Sequence, residues 1–139
     1  MTDERSAADA DLATARRLLS EGGDDATDAA AEHADRAVQA YLELGDVPAA
    51  ADVLWFLGRL DDSRGRTDDA TRHLREAVEG FVVTHDDRAD EVADELFALL
   101  RRTGQADRLQ EFLTWRLWLV GTMSGEQERT AAAGRRRAP

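Results

Sequence analysis

The residues able to do chemistry in this sequence are carboxylates, guanidinium groups and three imidazoles. His33, His73 and His85 are scattered, and no two have the one-turn spacing of a helical metal site. There is no Cys, which excludes disulfides and thiolate metal sites and leaves the redox compartment unread. Carboxylate pairs recur at Asp24-Asp25, Asp61-Asp62, Asp68-Asp69 and Asp86-Asp87. They read as charges at helix ends, where a helix N-terminus favours them. The stretch from Asp61 to Asp69 comes nearest to a calcium loop, but Gly65 falls at the wrong interval from Asp61. No P-loop, dinucleotide fingerprint, nucleophile elbow or zincin motif occurs. Gly22-Gly23 is flanked by Glu21 and Asp24, which repel phosphate, so it reads as a turn. These patterns lead us to expect no metal, no cofactor and no catalytic residue, and a protein that holds a partner.

The charge balance narrows the setting. Of 139 residues, 29 are acidic (18 Asp, 11 Glu) and 18 basic, all of them Arg, for a net charge of −11. A lysine-free, Asp-rich surface resembles that of proteins from salt-loving archaea, where screening at high salt quenches self-repulsion. A GC-rich genome would also replace Lys by Arg, and both origins fit. Either way the folded part is a poor ligand for nucleic acid. The longest apolar stretch, Leu117 to Val120, is far shorter than the ~20 residues of a membrane span, and the N-terminus lacks a basic region followed by an apolar run. A cytoplasmic location is the expectation.

The elements that must position these side chains are helices. Ala and Leu dominate the apolar residues, Pro occurs only at positions 48 and 139, and no alternating β-branched run suggests a strand. Helical periodicity recurs in six segments, near residues 6–21, 28–44, 47–63, 67–81, 84–103 and 106–120. Gly23, Gly45, Gly65 and Gly104 punctuate them. Thr67 reads as the N-cap of the fourth helix, and Thr84 with Asp87 as an approximate capping box for the fifth. Leu109, Phe112, Leu113, Leu117 and Val120 form the inward stripe of the sixth. The folded domain is read as residues 1–121. From residue 122 the sequence turns polar and small, and is read as a disordered basic tail ending in Arg135-Arg136-Arg137. The charges split accordingly: 27 acidic and 14 basic residues through Val120, against two and four afterwards.

The third and fourth helices resemble one tetratricopeptide repeat. Leu54, Leu57-Gly58, Gly65, Ala70, Leu74 and Ala77 keep the intervals of that family's 34-residue pattern. Small Gly58, Ala70 and Ala77 would let two backbones approach, while Leu54, Leu57 and Leu74 fill the gaps. The fifth and sixth helices fit less well: Phe97 stands where the small Gly belongs and Arg116 where a small Ala belongs, so wider helix spacing is expected there. The first pair fits only with a two-residue insertion in its turn. The resemblance covers about residues 8–120. It implies an all-α fold of about six antiparallel helices, arranged as three helical hairpins in a short right-handed solenoid.

The same resemblance implies a concave groove lined by the first helix of each hairpin, holding another protein or peptide. Its outward positions include Arg17, Asp52, Trp55, Arg59, Asp94, Arg101 and Arg102. Converging guanidinium forks could clamp a carboxylate bidentately, or could pair with the many neighbouring Asp and Glu side chains. Trp55 lies off the inward stripe and is either a contact residue or packed beneath the first helix. The sixth helix carries Trp115, Trp118 and Leu119 outside its stripe. A terminal helix should present a polar outer face, so these three predict a second buried face. That face meets a second copy of the chain, a larger partner or the protein's own groove. Beyond the adaptor role, a regulatory or sensory module self-associating through this helix fits the same residues.

Overall fold

The computed structural model describes the backbone of residues 2–137 and the side chains of residues 3–122. Six α-helices follow one another: α1 (Thr2–Glu21), α2 (Asp24–Glu43), α3 (Val47–Ser63), α4 (Thr67–Val83), α5 (Arg88–Arg102) and α6 (Ala106–Arg137). No strand occurs among the described residues, and no helix among them is long and apolar enough to cross a membrane. α2 starts earlier than the periodicity suggests, because Asp24 and Asp25 join its first turn, where carboxylates favour the helix.

Local hydrogen bonds set the helix ends, and two of them correct the reading of the sequence. Thr67 lies inside α4, whose cap position is Arg66 with no side-chain bond. Thr84 closes α4 instead of opening α5: its hydroxyl donates to the Gly80 carbonyl at 2.8 Å. Asp86 opens the α5 end by accepting the Arg88 amide at 2.9 Å. Asp46, which the sequence did not single out, caps α3 by accepting the Ala49 amide at 3.1 Å, with Pro48 in the first turn. The turns after α2 and α4 match each other. In each, the second of two residues donates back across the helix end, Asp46 to the Tyr41 carbonyl (2.9 Å) and Asp86 to the Phe81 carbonyl (2.8 Å). The turn residue between is left-handed in both, Gly45 at φ 74° and His85 at φ 56°.

α3 and α4 run antiparallel and close. A Cβ on Gly58 would lie 2.6 Å from the Leu74 side chain, and one on Gly80 2.9 Å from the Ala51 Cβ. The small residues therefore sit where the two backbones need them, as the spacing implied. α1 and α2 pack as extensively. The core runs through α1 to α5, reaches α6 at Phe112, and includes Ala34, Ala37, Val53, Leu57, Leu74, Val78, Phe81, Val92, Leu96 and Leu100. α2 and α4 share a burial pattern at a 40-residue offset: Ala30, Ala34, Ala37, Val38 and Tyr41 are buried, as are Ala70, Leu74, Ala77, Val78 and Phe81. Asp61 is the one buried charged residue among the described ones, 4% exposed. His73 Nδ1 lies 2.6 Å from its Oδ2, and no buried side-chain polar atom among the described residues lacks a partner.

A second set of contacts joins residues 36 to 41 apart. α1 reaches α3 and its cap through Arg5–Asp46 and Arg16–Asp52. α2 is tied to the end of α3 by Arg64–Asp28. α3 reaches α5 through Asp52–Arg88, Trp55–Glu95, Arg59–Glu95 and Asp62–Arg102. α4 reaches α6 through Asp68–Arg108 and through Arg75 over the Trp115 ring. Because both members of each pair advance together along the chain, α3 and α5 are parallel neighbours, and so are α4 and α6.

α6 departs from its predecessors. Among the described residues it touches α5 and α4 sparsely, whereas α3 packs along the length of α4. The sequence places a stop at Gly121, but the backbone continues helical to Arg137. The side chains of residues 123–139, the basic tail among them, lie outside the described residues.

Candidate partner-binding surface

α1, α3 and α5 place most of the groove residues on neighbouring parallel helices, and most of their charges are already matched. Arg59 donates to Glu95 through both Nε, at 3.1 Å to Oε2, and Nη2, to Oε1. Its guanidinium also covers the Trp55 ring, with Cζ 4.4 Å from the centroid. Trp55 Nε1 donates to Glu95 Oε2 at 2.8 Å, and its ring meets Phe81 edge-on at 6.2 Å. Trp55 is therefore half-buried, packed between α3, α4 and α5 and not beneath α1. Burial raises the Glu95 pKa, but the Arg59 and Trp55 hydrogen bonds together outweigh it and hold the carboxyl below its usual range.

Asp52 lies between two arginines, Arg88 at 3.3 Å and Arg16 at 3.8 Å. Arg102 Nη2 donates to both oxygens of Asp62, at 2.8 and 2.9 Å. Arg17 pairs within its own helix with Glu21 at 2.9 Å. Asp94 and Arg101 are exposed. The structure thus gathers Trp55, Arg59 and Glu95 into one network, holds Asp52 separately between Arg16 and Arg88, pairs Arg102 with Asp62, and leaves Arg17, Asp94 and Arg101 apart. A carboxylate ligand clamped by Arg59 or Arg102 would have to replace Glu95 or Asp62. Glu95 escaped the sequence reading because it sits on the flank of α5; its signal was the 36-residue interval to Arg59 and 40 to Trp55.

The sixth-helix residues divide differently from the expectation. Trp115 is half-buried under Arg75, with Phe112 at 5.8 Å between ring centroids, and Leu119 is 7% exposed. Both belong to the monomer's interior, so of the three residues assigned to self-association only Trp118, 63% exposed, faces outward. Leu117 and Val120, expected in the core, are 76% and 47% exposed. The reason is rotation about the helix axis: Phe112, Trp115 and Leu119 share one side, and α6 was apolar enough on both sides for either to be buried.

The opening between α4 and α6 holds a cleft of about 550 Å³ with a floor of Leu96, Leu100 and Phe112 and a rim that includes Arg72, Arg75, Glu76 and Arg108. The sequence pointed to it only through Phe97 and Arg116, which replace small residues and fit the looser packing of α6. Among the described residues no group of three or more His, Asp or Glu side chains could hold a metal ion.

Compared with protein-family models, with curated proteins and with solved structures, the chain matches none.

Proposed function

We propose that the chain is a tetratricopeptide-like interaction module that binds a peptide or helical segment of another protein across the face made by α1, α3 and α5. In this reading the six helices form three hairpins stacked in a short right-handed solenoid. The observation that carries it is the set of side-chain bonds tying α3 to α5 at intervals of 36 to 40 residues, Asp52–Arg88, Arg59–Glu95 and Asp62–Arg102. Repeated hairpins stacked on their neighbours bring first helices side by side in this way. The close approach at Gly58 and the matching turns after α2 and α4 support the same arrangement. The intervals of 36 to 41 residues exceed the family's 34, so the likeness is to the hairpin design with longer helices. An open face of this width suits a chain segment better than a small molecule, which takes a concave, mostly enclosed site. The acidic, lysine-free composition supports a salt-rich cytoplasm as the setting, and the role is binding, not catalysis.

The test uses exposed positions whose change leaves the packing intact. Asp94→Arg combined with Ala98→Arg places two cations on the open face of α5. The wild-type chain immobilised in extract at high salt should retain a defined set of proteins, and the double variant, with unchanged circular dichroism, should lose them. If both retain the same set, or neither retains any, the groove reading is wrong.

A further inference from the structure

Three arginines line the cleft between α4 and α6, and each already has a partner. Arg108 is paired with Asp68 at 2.6 Å and Arg72 with Asp69 at 3.4 Å. Arg75 is turned to the Trp115 ring, its Cζ 4.5 Å from the centroid. That leaves Glu76 and Glu79 on one wall, α4, and Glu111 on the other, α6. All three are exposed, and none of them is in an ion pair or a side-chain hydrogen bond among the described residues. Between the walls the floor of Leu96, Leu100 and Phe112 is apolar and at most 3% exposed. The cavity of about 550 Å³ is of small-molecule size, within the range of roughly 300–1,000 Å³ that such sites span. Its low-dielectric walls concentrate the field of the unmatched carboxylates into the space between them.

We propose that this cleft binds an aliphatic diamine or polyamine that spans it from wall to wall. The end ammonium groups, protonated at neutral pH as a lysine side chain is, meet Glu76 and Glu79 on α4 and Glu111 on α6. The methylenes between them lie over the apolar floor. Charge and shape together select this class. An anion would face three unmatched carboxylates and find every lining arginine engaged. A neutral apolar molecule would take water from those carboxylates and return no bond. A compact metal ion would need its ligands gathered, and no group of three or more His, Asp or Glu side chains among the described residues could hold one. A monoamine would reach one wall only. A bound diamine also ties α6 to α4, which the helices' own sparse contacts do weakly. The site does not depend on the reading of the face made by α1, α3 and α5.

A chain of net charge −11 attracts any polycation, so the experiment must separate the site from the surface as a whole. Calorimetric titration of the full chain, at the lowest salt that leaves its circular dichroism unchanged, compares hexamethylenediamine, hexylamine and adipate. The diamine should bind roughly fivefold more tightly than the monoamine, the scale of one added exposed ion pair, and adipate should not bind. Two triple variants then remove equal charge. Glu76→Gln, Glu79→Gln and Glu111→Gln together should abolish the preference for the diamine. Glu32→Gln, Asp35→Asn and Glu43→Gln, at exposed positions of α2 in no ion pair among the described residues, should keep it. In NMR spectra the diamine should move the Trp115 indole N–H resonance and leave that of Trp55 in place. The proposal is overturned if no probe binds, if adipate binds as tightly, or if diamine and monoamine bind alike. Equal losses in the two triple variants, or equal shifts at Trp55 and Trp115, also overturn it.

Discussion

Tyr41 is the chain's one phenol, and it is buried at the junction of α1 and α2 with its hydroxyl donating to Asp9. Burial first, and the bond to Asp9 second, push its pKa up to about 12, against an ordinary value near 10. The sign follows from which form the fold prefers. Between pH 10 and 12 the folded chain keeps a proton that the unfolded chain has released. The stability from this group is therefore complete below about pH 10 and falls as pH rises through about 12. Spectroscopic titration of the tyrosinate band should show a native midpoint near 12. An ordinary midpoint would mean that the ring is not held against Asp9. The buried Asp61–His73 contact is different in kind. Removing the imidazole would leave a carboxylate 4% exposed without its partner, the costly way to break such a pair.

At the scale of elements, Gly58 decides how closely α3 and α4 approach. Gly58→Ala gains up to about 1 kcal/mol of helix propensity, but its methyl would lie 2.6 Å from Leu74. Overpacking of this kind costs about 1–3 kcal/mol, so the urea midpoint should fall; a rise would show that Leu74 moves aside freely. This approach was legible in the sequence because small residues at fixed intervals have few other uses in a helix. The six helices were legible from periodicity, and α3 nearly to the residue. The caps were not: Thr84 could close one helix or open the next, and only the turn geometry chooses. The side of α6 that is buried was also hidden, because Phe112 and Leu119 on one side and Leu117 and Val120 on the other offer similar apolar surface. Glu95 was missed because Arg59 had many acids within reach by composition, and the sequence does not show that α3 and α5 lie parallel. The cleft between α4 and α6 left only an indirect trace, Phe97 and Arg116 where small residues would pack the helices tightly.

For the molecule as a whole, charge decides behaviour in salt. Most arginines among the described residues are in ion pairs, Arg5, Arg59, Arg88 and Arg102 among them. These pairs are largely exposed and worth about 0–1 kcal/mol each, while the excess of carboxylates leaves a repulsive surplus over the surface. Raising salt from about 0.1 M to about 1 M shortens screening from ~10 Å to ~3 Å, and the surplus should weaken more than the pairs. The melting temperature should therefore rise with added KCl. A fall would mean that the pairs outweigh the repulsion and that the composition records codon usage. The sparse packing of α6 bears on where the chain gives way first. Detaching that helix sacrifices few contacts, so a local opening there costs much less than global unfolding. Such an excursion would bare Leu96, Leu100 and Phe112 while α1 to α4 stay folded, making the C-terminal third the natural entry point for proteases and chaperones.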